Sequence, residues 1–131
     1  MERVKERLQV ARKALITLQE LASKPNFTVL ERDAAIQRFE YTFEAIWRAA
    51  QTFLFTMEGV AANSPKSAVR SSWQAGLLDE ISSQAALRMC EARNMTVHTY
   101  NEKLAQEIAN QVPDFARLLE KWLSSMEARF S

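Results

Sequence analysis

Four polar residues of different chemistry fall close together in one run, Arg93-Asn94-Met95-Thr96-Val97-His98-Thr99-Tyr100, and His98 is the only histidine of the chain. Imidazole titrates near neutrality, so it can take or give a proton at physiological pH. Arginine is always charged and matches phosphate oxygens with a planar fork. Asparagine can orient an imidazole or a substrate hydroxyl. A His near an Arg, with no metal ligands beside them, suits phosphodiester cleavage by the 2′-OH of RNA itself. His98 would serve as acid or base, and Arg93 would stabilise charge on the pentavalent phosphate. DNA lacks the 2′-OH and would be left intact. The same residues also have a purely structural reading: a His at a helix end stabilises the helix dipole, and Arg93 is then a solvated face residue.

The position of these groups depends on where helices stop. On an ideal helix Asn94 and His98 share a face at i,i+4, whereas Arg93 and His98 stand about 140° apart around the axis and flank a groove. Thr99 and Glu102 have capping-box spacing, which predicts a break near Thr99 that frees His98 and Tyr100 from helical directions.

Helical periodicity covers nearly all the rest. Val4, Leu8, Ala11, Leu15, Leu18 and Ala22 draw one stripe from Glu2 to Ser23, ended by Lys24-Pro25. Thr28 with Glu31 predicts a capping box for a second helix reaching about Gly59, whose Phe39, Phe43, Ile46, Trp47, Ala50, Phe53, Leu54 and Met57 make a wide core face. Ser64-Pro65 starts a short third helix ending near Gly76, and Asp79 opens a fourth through Ile81, Ala85, Met89 and Ala92. Leu104, Ile108, Val112, Phe115, Leu119, Trp122 and Met126 keep one stripe through Pro113. Because an interior Pro costs about 3 kcal/mol, either a helix kinks there or two helices abut, and the unbroken period favours the kink. The expected fold is all-α: a single domain over residues 1–131, an up-and-down bundle of four to five helices.

Composition excludes much else. A chain of 131 residues with two glycines and three prolines cannot supply the turns of a β-sandwich, and Gly59 and Gly76 lie too far apart for a phosphate loop. One Cys and one His exclude a Cys/His zinc site and an internal disulfide, so no metal or cofactor is expected. A net charge of +1 does not describe a protein that grips duplex DNA electrostatically, though a local basic site is allowed. The densest basic cluster is Arg3, Lys5, Arg7, Arg12 and Lys13. No apolar run reaches membrane-spanning length, no signal peptide opens the chain, and the lone Cys90 fits a cytoplasmic location.

Arg93-Asn94, His98 and Tyr100 together resemble the R-x4-H-x-Y signature of the HEPN family, and within it the HepT-type toxins, also described as nucleotidyltransferase substrate-binding proteins. Gln37-Arg38-Phe39-Glu40-Tyr41-Thr42-Phe43-Glu44 with Trp47-Arg48 resembles the second helix of that subfamily, so the likeness spans essentially the whole chain. The resemblance implies that Arg93 and His98 are a metal-independent ribonuclease pair with Asn94 as their polar neighbour. It implies that Tyr100 accepts AMP from a minimal nucleotidyltransferase antitoxin, which silences the toxin. It further implies a homodimer bringing two motifs to one cleft, with RNA, tRNA or mRNA, as substrate. The alternative is a non-catalytic subunit that holds a nucleotide for a separate nucleotidyltransferase. One departure is the neutral, small stretch Ile81-Ser82-Ser83-Gln84-Ala85-Ala86, where the subfamily often carries acidic residues and Trp.

Other candidates are expected to be ordinary. Glu40 and Glu44 read as exposed or capped carboxylates rather than site residues. Trp73 and Trp122 read as core or dimer-interface residues, and Cys90 as a buried inert thiol. Lys66 and Arg70, with the N-terminal cluster, are weaker candidates for holding RNA phosphates against a solvated-surface reading.

Overall fold

The structure is a computed structural model describing all residues, Met1–Ser131. Its elements are α1 (Glu2–Ala22), α2 (Val29–Glu58), α3 (Pro65–Gln74), α4 (Glu80–Met95), a 3₁₀ turn (Thr96–His98) and α5 (Glu102–Phe130). There are no strands. The helix ends follow local chemistry. Thr28 Oγ1 accepts from the Glu31 N–H at 3.1 Å while the Thr28 N–H donates to Glu31 Oε1 at 2.9 Å, closing the expected capping box. Gly59 ends α2 with φ 69°, a left-handed conformation that glycine adopts without a Cβ penalty. Ser64 caps α3 with Pro65 in its first turn, and Asp79 caps α4 by accepting from the Ser82 N–H at 2.7 Å. That hydrogen bond holds the Asp79 carboxyl below its ordinary pKa.

The three long helices α1, α2 and α5 pack on one another, α3 lies on α2, and α4 bridges α3 and α5. The shared core is filled by Leu15, Leu18, Phe39, Phe43, Phe53, Leu119, Trp122 and Met126, all essentially without solvent exposure. Truncating a residue of this kind to Ala costs about 2–5 kcal/mol through lost transfer energy and the cavity left behind. Trp122 brings a polar edge into this core and satisfies it: its Nε1–H donates to the buried Ser72 Oγ at 2.9 Å, joining α5 to α3.

The last segment is one helix, not two: α5 runs through Pro113 without interruption. Its cap differs from the expected one. Asn101, not Thr99, caps α5, with Asn101 Oδ1 accepting from the Leu104 N–H at 3.1 Å. Glu102, the residue a Thr99 cap would have used, is taken instead by Arg32 of α2, whose Nη1 lies 2.6 Å from Glu102 Oε2. A long-range ion pair therefore overrides the local box. Thr99 Oγ1 turns back and donates to the Thr96 carbonyl at 3.1 Å.

A second arginine fastens α1 to α5. Arg12 donates to Glu120 at 2.7 and 2.8 Å, and its Nε donates to Glu127 at 3.1 Å. Ser124 and Gln19 donate to the same Glu120 carboxylate. The Arg12 hydrogen bonds, ahead of those from Ser124 and Gln19, bring the Glu120 carboxyl down to about 2.

Candidate functional site

The motif occupies the junction where α4 ends and α5 has not begun. Arg93 lies in the last turn of α4, the backbone tightens into the 3₁₀ turn at Thr96–His98, and the Asn101 N–H closes the loop onto the His98 carbonyl at 3.0 Å. Such tightening is common where a helix runs out of i→i−4 partners. It also aims successive side chains differently from an α-helix, so the one-face relation expected for Asn94 and His98 no longer applies.

Half of the site is held from across the fold. Arg93 Nη1 donates to Thr96 Oγ1 at 2.9 Å and lies 3.5 Å from Glu40 Oε2 of α2. The Thr96 hydroxyl in turn faces Glu40 Oε2 at 2.8 Å and the Arg93 carbonyl at 2.7 Å. Thr96 is buried, so this hydroxyl is shielded from water and its hydrogen bonds are correspondingly firm. Glu40 is thus not the exposed or capped carboxylate that the sequence led us to expect: it reaches the site. Glu44 does not; it accepts from Trp47 Nε1 at 2.9 Å and Arg48 Nε at 3.1 Å on its own helix.

The other half is open. Asn94, His98 and Tyr100 are exposed, Tyr100 by 82%. The Tyr100 hydroxyl lies 3.4 Å from His98 Nδ1, a long contact, and the two rings meet edge-on with centroids 5.9 Å apart. Met95 and Val97 are also exposed beside them. The chain therefore brings Arg93 to Glu40 and Thr96, and His98 to Tyr100. No hydrogen bond joins Arg93 to His98.

The weaker candidates fall elsewhere. Lys66 lies 3.3 Å from Glu91, and Arg70 is exposed without a carboxylate partner. Trp122 is core, but Trp73 is half exposed and is no part of it. Cys90 is buried, and burial pushes its thiol up to about 11, as an inert thiol requires. A hollow of ≈ 800 Å³ lies between α1, α4 and α5, lined by Gln19, Ile81, Pro113 and Lys121 among others, away from the motif. No three His, Cys, Asp or Glu side chains stand together in a metal-holding arrangement.

Residues 6–128 match the family described as nucleotidyltransferase substrate binding protein like. The chain belongs to that family. Over 85 residues it is 31% identical to a Haemophilus influenzae protein named Probable ribonuclease HepT, a match covering 62% of this chain and 57% of that one. The chain thus aligns with little more than half the length of this curated relative. Among solved structures, a Thermus thermophilus protein is 50% identical, with a TM-score of 0.86 over 88% of this chain and 98% of that one. A Haemophilus influenzae protein, described as revealing the fold of a substrate binding domain of a nucleotidyltransferase, superposes with a TM-score of 0.73 at 21% identity, covering 92% and 98%. A chain from a mutant of the toxin–antitoxin pair MntA–HepT gives 0.77 at 15% identity, covering 98% and 99%. At those two identities the likeness is one of fold, and it is the five-helix fold described above. No helix of this family member is long and apolar enough to cross a membrane.

Proposed function

We propose that this chain is a metal-independent endoribonuclease toxin of a type II toxin–antitoxin pair, cutting RNA with Arg93 and His98. The observation that carries the reading is the division of the junction. Arg93 is fixed by Glu40 and Thr96 through a single guanidinium nitrogen, and His98 stands exposed on the adjoining turn with only the Tyr100 hydroxyl against it. The remaining N–H groups of Arg93 are left for phosphate oxygens. The RNA 2′-OH gives its proton to a neutral imidazole and attacks the adjacent phosphorus. The 5′-oxygen leaves with a proton from a protonated imidazole, giving a cyclic phosphate and a free 5′-hydroxyl. Arg93 stabilises the charge that builds on the phosphoryl oxygens between these steps. With one His98 per chain, base and acid come from the two copies in a homodimer, and Asn94 orients the imidazole or the ribose. The reaction takes place in the cytoplasm, where RNA is supplied.

Tyr100 is the control point in this reading. Its exposed hydroxyl gives up its proton to solvent and attacks the α-phosphate of ATP held by a nucleotidyltransferase antitoxin, the bond to the β-phosphate breaks, pyrophosphate leaves, and AMP remains on the oxygen. The new phosphate stands beside His98 and repels the RNA backbone as well as blocking it. The second reading, a non-catalytic subunit presenting a nucleotide to a separate nucleotidyltransferase, is favoured by the family description and by the absence of a hydrogen bond between Arg93 and His98.

RNA cleavage in EDTA decides between them. Wild type is expected to cleave, and His98→Ala to lose roughly 10²- to 10⁴-fold of the rate. Equal rates in the two proteins reject the ribonuclease, and growth arrest absent on expression of the chain alone favours the binding subunit. Intact mass after co-expression with a neighbouring nucleotidyltransferase tests Tyr100, with AMP-sized increments expected in wild type and none in Tyr100→Phe.

A further inference from the structure

The far end of α2 carries a second hollow, of ≈ 560 Å³, that the motif does not use. Its walls include Arg3 and Arg7 of α1, Thr52, Phe55 and Thr56 of α2, and Asn63 of the following loop. Three features come together there. Arg3 and Arg7 stand one turn apart on the same helix face, and neither has a carboxylate within 4.0 Å, although eight other Lys and Arg side chains of the chain do. No Asp or Glu lines the hollow; Glu6 lies in a smaller neighbouring hollow on the other flank of the two arginines, beyond ion-pair distance. Phe55 is 67% exposed, the most exposed of the seven phenylalanines. The side chains of Thr52, Thr56 and Asn63 make no hydrogen bond within the protein, so their polar atoms are free to meet a base edge or a ribose.

We infer that this hollow is a binding site for single-stranded RNA, with Arg3 and Arg7 each holding a backbone phosphate and Phe55 stacking a base. Paired guanidiniums and an aromatic platform are the two elements from which sequence-tolerant single-strand sites are built. The inference rests on the ribonuclease reading for its occupant and adds a second point of attachment to it. Glu40, Glu44, Arg48, Gln51 and Phe55 follow one another along α2 at steps of four, four, three and four. They form one ridge leading from the motif to the hollow, about 22 Å at 1.5 Å per residue. That span suits the roughly four-or-more-nucleotide footprints of single-strand sites. The two glutamates on the way are already engaged, Glu40 by Arg93 and Thr96 and Glu44 by Trp47 and Arg48. The ridge therefore offers a passing strand less bare negative charge than its sequence suggests.

The test is the affinity of a fluorescent twelve-nucleotide oligouridylate for the full-length His98→Ala protein, which keeps the probe intact, measured across a salt series. The Arg3→Ala/Arg7→Ala double variant is expected to bind about tenfold more weakly and to show a shallower salt dependence, by a slope of about 1.4 for two phosphate contacts on a single strand. Phe55→Ala is expected to lose about tenfold, and Phe55→Trp to retain binding, which a merely structural role would not explain. Unchanged affinity in the double variant overturns the site. So does tight binding of AMP alone through the same residues, which would make the occupant a free nucleotide. A shift in oligomeric state with either variant, seen by sedimentation, also overturns it, because the hollow would then be covered by a second copy. Failure of the ribonuclease reading shows separately: wild type that does not cleave, while His98→Ala still binds the probe through Arg3 and Arg7, removes the chemistry and leaves the site.

Discussion

Arg12 and Arg93 are both partly exposed arginines reaching to carboxylates on another helix, yet they are used in opposite ways. Arg12 is saturated: its three nitrogens meet both oxygens of Glu120 and both of Glu127, with Ser124 alongside. Every nitrogen is engaged and only one Nη1 hydrogen is left over, and the effect of Arg12 is to pin α1 to α5. Arg93 is held through Nη1 alone, by Thr96 and at longer range by Glu40. Its orientation is fixed, and its Nε and Nη2 have no partner within the protein. A structural arginine is recognised by full occupancy, and one kept for binding by anchorage with donors to spare.

Swapping the losses gives the sharpest test of that contrast. Arg93→Ala is expected to reduce RNA cleavage by about 10³-fold, the scale of losing a charge-stabilising donor, with the melting temperature nearly unchanged. Arg12→Ala is expected to do the reverse, lowering stability by about 2 kcal/mol in chemical denaturation because Glu120 and Glu127 are left facing each other, with cleavage unchanged. If both variants lose activity and stability alike, the distinction between the two arginines disappears. Glu40→Gln comes next: it keeps the shape but removes the charge near Arg93, and cleavage is expected to drop about tenfold at constant fold, read as kcat against KM.

The acid limb of stability tests the saturated arginine. Glu120, held at about 2 when folded against an ordinary value of 4.5, binds its proton more readily in the unfolded chain. Its contribution is therefore complete above about 4.5 and is lost as pH falls toward 2. At a carboxylate about a third exposed this amounts to about 1 kcal/mol after solvent screening. Equilibrium unfolding between pH 5 and pH 2 should show this slope in wild type and a shallower one in Arg12→Ala. The smallest effect concerns Cys90: with its thiol near 11 and its side chain buried, labelling by a disulfide reagent at pH 8 should be negligible until denaturant is added.

What could be read from the sequence was whatever neighbours decide. The Thr28–Glu31 box, Ser64-Pro65 and the Asp79 cap each involve residues within a turn of one another, and each stands as expected. The stripe of α5 was legible because burial repeats every three or four positions, strongly enough to carry the helix through Pro113. The break near Thr99 is present as expected, but the capping box there is not, because Glu102 has two suitors and the winner, Arg32, lies 70 positions away in sequence. Glu40 was misjudged for the same reason, since its partner Thr96 is 56 positions distant. The only local hint at Glu40 was its place in the Gln37–Glu44 stretch that resembles the subfamily's second helix, and that stretch says nothing of what the carboxylate touches.

Arg32 and Glu40 also share a helix, and that has a mechanical meaning. They are two turns apart near the start of α2, one gripping the first residue of α5 and the other the end of α4. The junction that carries His98 and Tyr100 hangs between two struts rising from a single beam. Its own hydrogen bonds, Thr99 to the Thr96 carbonyl and Asn101 to the His98 carbonyl, hold its local shape, and the struts set where it sits. A force that tilts the first turns of α2 moves both anchorages together and reaches the motif without touching it.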